Sequence, residues 1–135
     1  MNFGFWRRIA PLLVTLAIIA IFVGGCSWAS AASPPPKTNS DGSITYYLKA
    51  DDMKFDTDRM TMPAGAKVTI VFNNADSFLH NVSLRAARFD PVAIFRGETI
   101  GKKTIEYTFT TPSQPGTYIF QCDLHPDMYG EFIVT

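Results

Sequence analysis

Only two histidines occur in the chain, His80 and His125, and the second falls within Cys122-Asp123-Leu124-His125-Pro126-Asp127-Met128. A thiol, an imidazole and a thioether thus recur at every third residue of one short segment between two strand-like stretches. A strand-to-strand loop with this spacing can curl around an ion while the intervening residues point away. Two imidazoles, one thiolate and a distant, weak thioether make up the trigonal donor set that suits copper in one-electron sites. The candidate ligands are therefore His80, Cys122, His125 and Met128, with His80 arriving from another strand end to pin the loop to the rest of the fold.

Each of these residues also has a plainer use. Met128 alone would serve as a core filler, Cys122 as a small buried hydrophobe, and His80 as a hydrogen-bonded or surface histidine. Cys-x-x-His also suits zinc, with Asp123 or Asp127 as a fourth ligand. The coincidence favours copper: both histidines, one of only two cysteines and a methionine all fit one set. Met53, Met60 and Met62 read as core or strand residues rather than as a second copper site.

The N-terminus sets the compartment. Arg7 and Arg8 precede an apolar run from Ile9 to Gly25, followed by small residues, the pattern of an export signal over residues 1–25. The run is at the lower edge of what spans a bilayer, so a retained anchor helix is an alternative. Val23-Gly24-Gly25-Cys26 resembles a bacterial lipobox, making Cys26 the candidate lipid anchor. Ala29-Ser30-Ala31 is the competing cleavage site, and Arg7-Arg8 leaves twin-arginine export open. Two acyl chains on Cys26 would anchor the protein stably. Residues 26–43, with three consecutive prolines at Pro34 to Pro36, read as a solvated tether.

The chain has 12 basic and 12 acidic residues, and loss of residues 1–25 removes Arg7 and Arg8 alone, leaving 10 against 12. A net charge of −2 argues against nucleic acid as a partner. With Cys26 acylated, Cys122 has no disulfide partner.

The elements that must position the ligands are strands. Residues 44–48, 67–72, 81–84, 104–109, 117–120 and 131–134 are rich in β-branched and aromatic residues or alternate in polarity, with Val68, Ile70 and Phe72 on one face. Pro63-Ala64-Gly65, Asn73-Asn74 and Pro115-Gly116 punctuate them. The stretch from Arg85 to Gly97 has room for a helical turn. The expectation is an all-β, Greek-key antiparallel sandwich of seven or eight strands over residues 44–135.

Residues 44–135 resemble the cupredoxin family, the small blue-copper proteins of the plastocyanin and azurin type. The resemblance rests on Met62-Pro63-Ala64-Gly65, on Phe72-Asn73-Asn74-Ala75-Asp76 ahead of His80-Asn81-Val82, and on Gly116-Thr117-Tyr118-Ile119-Phe120-Gln121-Cys122. It continues through the ligand loop to Tyr129-Gly130-Glu131-Phe132-Ile133-Val134. The Cys-x-x-His-x-x-Met spacing, with Pro126 after the histidine, is similar to that of the amicyanins. The resemblance implies one type 1 copper, with His80, Cys122 and His125 as strong ligands and Met128 axial. It also implies that Asn81 ties the two ligand loops together. Asp127 departs from the apolar residue usual there; its carboxylate is expected to favour the oxidised ion and to make the partner patch less apolar.

The function so implied is single-electron transfer, by a monomer, between redox proteins such as a c-type cytochrome or a membrane oxidoreductase. The location is the extracytoplasmic or periplasmic face of a bacterial membrane. The alternative is a copper-binding module for delivery, storage or sensing, with the same ligands but an exchangeable metal. An enzyme is not expected: related oxygen- or nitrite-reducing enzymes need further histidines. A binuclear copper loop would need a second cysteine between Leu124 and Met128.

Overall fold

The computed structural model describes residues 34–135. The export segment of residues 1–25, the anchor candidate Cys26 and the tether as far as residue 33 lie outside the described residues. Ten strands follow: β1 (Lys37–Thr38), β2 (Ile44–Asp51), β3 (Lys54–Phe55), β4 (Arg59–Met62), β5 (Lys67–Asn74), β6 (Ser83–Arg85), β7 (Ala93–Arg96), β8 (Thr104–Thr110), β9 (Gly116–Gln121) and β10 (Tyr129–Val134). Eight have three or more residues. Among the described residues no helix is long and apolar enough to cross a membrane.

The strands form two sheets, β1-β2-β5-β8 with β3 beside β2, and β4-β10-β9-β6-β7. The all-β sandwich expected from the sequence is what the chain forms. Two pairings differ from an all-antiparallel arrangement: β2 with β5 and β4 with β10 run parallel. The reason is topological. Between β2 and β5 the chain crosses to the other sheet to lay down β4, and such a crossover returns it in the same direction.

Period-two burial explains which faces meet. Along β5, Val68, Ile70, Phe72 and Asn74 are buried and their neighbours are less so; along β10, Gly130, Phe132 and Val134 are buried. These faces close on Leu48, Met60, Met62, Leu84, Tyr107 and Phe120 as one apolar core. Aromatic rings bridge the layers: Phe55 meets Phe120 at 5.3 Å between centroids, and Phe109 meets Phe132 at 6.2 Å. Gly130 is required by this packing, because a Cβ there would lie 2.4 Å from the Phe120 ring and 2.6 Å from the Asp58 carbonyl oxygen.

Three local features depart from the sequence expectation. Sheet pairing begins at Lys37–Thr38, which pair with Thr45 and Ile44, ahead of the start set at Ile44. The stretch from Arg85 to Gly97 holds turns and β7 rather than a helical turn. Regular pairing of β6 starts at Ser83 rather than at residue 81. Met60 and Met62 are buried in β4, whereas Met53 is an exposed turn residue with φ of 58°.

Candidate metal centre

His80 is fixed before its side chain is considered. Its N–H donates to the Ile100 carbonyl at 3.0 Å and its carbonyl accepts the Ile100 N–H at 2.8 Å. The loop that brings it from β5 to β6 is braced by Asn74, whose Nδ2 donates to the carbonyls of Phe78 and Ile100 and whose Oδ1 accepts the Asp76 N–H. Cys122 follows directly on β9. Its N–H donates to the Met128 carbonyl, and the Met128 N–H donates to the His125 carbonyl, both at 2.9 Å. These two bonds close residues 122–128 into a compact turn before β10.

The result is a triangle of donor atoms. Cys122 Sγ lies 3.7 Å from His80 Nδ1 and 3.6 Å from His125 Nδ1, and the two Nδ1 atoms are 3.0 Å apart. An ion about 2.0–2.1 Å from each nitrogen and about 2.3 Å from sulfur would fit inside sides of these lengths. His80 and Cys122 are wholly buried, and His125 is half-buried with its ring near the surface. Met128 is buried in the same core cluster as Cys122 and lines a pocket with His125 and Met53. The structure thus brings His80, Cys122 and His125 together and sets Met128 beside them. A soft sulfur and two imidazoles, with the sulfur and one imidazole shielded from water, match copper by the chemistry of the donors.

Asn81 bridges the two ligand segments. Its Oδ1 accepts the Asp123 N–H at 2.8 Å, and its Nδ2 donates to Asp123 Oδ2 at 2.9 Å and to the Gly97 carbonyl at 3.1 Å. Asp123 is the hub of a larger network. Its carboxylate also accepts from Ser83 Oγ at 2.8 Å and Arg85 Nη2 at 2.7 Å, and it faces Arg96 Nε at 3.1 Å. Burial pushes its pKa up, but the bonds from Arg85, Asn81 and Ser83 outweigh that and hold it below the usual carboxylate range. Arg85, itself buried, also donates to the Asp90 carbonyl. With its oxygens committed in this way, Asp123 is poorly placed to be a fourth zinc ligand.

Asp127, expected to act on the metal, lines the pocket beside His125 and Met128 but from a solvent-exposed position. Its side chain is fully exposed, 3.8 Å from Arg88 Nη2, and a charge in that position is screened by water. The carboxylate that faces a candidate ligand is Asp76. Its Oδ2 lies 3.3 Å from His80 Nε2 and accepts the Met53 N–H at 2.9 Å. Its Oδ1 accepts the N–H groups of Ser77 and Phe78 at 2.7 and 3.4 Å. The Met53 bond, with those from His80, Phe78 and Ser77, outweighs burial and draws the Asp76 pKa down to about 2. Sequence reasoning gave Asp76 and Arg85 no role at the site and offered Asp123 only as a possible zinc ligand rather than as a bracing hub. The available signals were a carboxylate four residues before one histidine and another directly after the cysteine.

Two imidazoles and a cysteine sulfur at one end of a β-sandwich define a mononuclear cupredoxin-type centre. The Cupredoxin-like domain family matches residues 15–134, and the chain belongs to that family. It is 29% identical to amicyanin of Paracoccus versutus over 133 residues, spanning 95% of this chain and 96% of the relative. It is 26% identical to auracyanin-A of Chloroflexus aurantiacus over 154 residues, spanning 91% and 94%. The solved structure of auracyanin A, described as a "blue" copper protein, superposes with a TM-score of 0.59 at 27% identity, covering 70% of this chain and all of that one.

Proposed function

We propose that the protein binds one type 1 copper through His80, Cys122 and His125, with Met128 axial, and carries single electrons between redox partners outside the cytoplasmic membrane. The observation that carries this reading is the donor triangle, buried on the His80 and Cys122 side and reaching the surface on the His125 side. Copper in such a site supplies a one-electron couple. The protein's part is to hold the donors so that neither oxidation state requires them to move. Backbone bonds at His80, Cys122 and Met128 and the Asn81–Asp123 bridge do this.

The half-exposed His125 gives the shortest way in and out for an electron. Beside it, Phe78 and Leu124 are 56% and 50% exposed, an apolar rim suited to brief contact with a redox protein such as a c-type cytochrome or a membrane oxidoreductase. Delivery, storage or sensing would call for a readily exchanged metal, and the burial of two of the three donors favours retention instead. Both histidines are used in the triangle, which supports a carrier rather than an enzyme. The apolar run before Cys26 supports export and a lipid tether. A lipid-modified Cys26 at the N-terminus of the membrane-extracted chain is expected by mass spectrometry; an unmodified start near Ala32 overturns the tether.

The central test is optical. The oxidised copper-loaded protein is expected to show an intense visible sulfur-to-copper band, and Cys122→Ser to lose it, since a hydroxyl is a poor substitute for a soft thiolate. A colourless oxidised wild type, or a Cys122→Ser variant that keeps the band, overturns the reading.

A further inference from the structure

We infer that Asp76 is a positioning residue of the metal centre: its carboxylate accepts the Nε2–H of His80, fixes that ring as an Nδ1 ligand and favours the oxidised ion. The inference rests on the copper reading above and goes beyond it, since it assigns the control of the potential to a residue outside the ligand set.

The geometry leaves His80 little choice. The ring is wholly buried, Nδ1 faces Cys122 Sγ and His125 Nδ1, and Nε2 faces Asp76 Oδ2. An ionised carboxylate only accepts, so the proton of a neutral imidazole belongs on Nε2 and the lone pair of Nδ1 points into the donor triangle. Asp76 is itself held in place. Backbone N–H groups of Met53, Ser77 and Phe78 grip both of its oxygens, and Asn74 Oδ1 holds its N–H. Met53 lies in the β2–β3 turn, so the carboxylate is clamped between two separate segments rather than swinging on one loop.

A carboxylate behind a metal-bound imidazole makes the ring a stronger donor and orients it. The extra negative charge interacts more strongly with Cu(II) than with Cu(I), and in a water-poor site little solvent screens the difference. Asp127 is nearer to His125 in sequence but fully exposed, so it lacks that leverage. The two histidines therefore have different tasks: His80 is the buried, carboxylate-backed anchor and His125 the surface contact.

The experiment begins with the wild type. In the reduced, copper-loaded full chain, nitrogen-resolved NMR should find His80 protonated at Nε2, with that proton protected from exchange with water. Protonation at Nδ1, or an Nε2 proton exchanging as fast as that of an exposed imidazole, overturns the inference without requiring any variant to fold. Asp76→Asn should keep the visible band and weaken Cu(II) binding about tenfold or more relative to Cu(I). A tenfold difference is a rise in potential of about 59 mV for one electron. Asp76→Glu, which retains a carboxylate, should return the potential toward the wild-type value.

Thermal unfolding of the metal-free proteins reads the bracing of the loop separately. An Asp76→Asn protein that loses thermal stability while its potential stays unchanged would make Asp76 a staple for Met53, Ser77 and Phe78 and nothing more. A blue wild type with an unresponsive potential sinks this inference alone. A wild type without the band sinks the copper reading and the inference together.

Discussion

Among the candidate ligands, Met128 has the weakest claim on the metal, and its environment says what its loss should do. The side chain is buried with Cys122, while its backbone N–H and carbonyl close the ligand turn irrespective of the residue type. Met128→Leu preserves volume and apolarity, so a stability cost below about 1.5 kcal/mol is expected. It removes only a distant thioether, so copper should stay bound, the visible band should persist and the potential should rise. Voltammetry together with the spectrum checks this; loss of the band on this substitution would mean that Met128 is a strong ligand. At this scale the sequence was most legible where residue types are rare. Two histidines and a cysteine at fixed spacing stand out. Asp76 does not, because Ala75-Asp76-Ser77 reads as an ordinary turn until the fold swings Met53 and His80 against its two oxygens.

The elements that hold the ligands depend on a few contacts between layers, and Tyr107 on β8 is one that can be tested. Its ring stacks on Phe72 at 5.8 Å and meets Phe95 at 5.9 Å, a Cβ at Gly97 would lie 2.7 Å from it, and its hydroxyl donates to the Glu98 carbonyl at 2.5 Å. Tyr107→Phe keeps the packing and removes the hydrogen bond, at a cost of about 1 kcal/mol. Burial, then the charges of Glu98 and Cys122, push the phenol pKa above its ordinary value. The neutral phenol's contribution is therefore complete below about pH 10, where an unfolded tyrosine begins to ionise, and is lost as pH rises above that toward the folded value. Denaturant unfolding at neutral pH and at about pH 11 should show Tyr107→Phe closing part of its deficit at the higher pH. A deficit that stays constant or widens would count against this role. Strands with several alternating β-branched or aromatic residues, such as β5, were legible. Arg59-Met60-Thr61-Met62 and Ala93-Ile94-Phe95-Arg96 were not, since four residues fit a helical or an extended period equally well. The parallel pairings were hidden for another reason: strand direction depends on which sheet the chain visits in between, and no local pattern records that.

For the whole molecule, the question is how an electron reaches a partner without the metal being exposed. The donor triangle sits at one end of the sandwich, and the surface beside His125 carries Phe78, whose ring is 6.4 Å from the imidazole, with Leu124 and the exposed Met53. Asp127, fully exposed and 3.8 Å from Arg88, borders this surface beside Pro126, so one screened carboxylate lies at the edge of an otherwise apolar patch. Two copies of the protein can meet through such a face, each presenting the same residues. Electron self-exchange between oxidised and reduced copper protein therefore measures the patch without any knowledge of the natural partner. Leu124→Asn withdraws apolar contact from both copies and adds no charge. Burying two leucine side chains contributes on the order of 3 kcal/mol if complete, and a transient contact realises part of that. Loss of about 1.4 kcal/mol slows exchange about tenfold. The visible band and the potential should hardly change, because Leu124 donates nothing to the triangle. Exchange rates from NMR line broadening check the outcome: a variant that exchanges as fast as the wild type would show that electrons leave by another face.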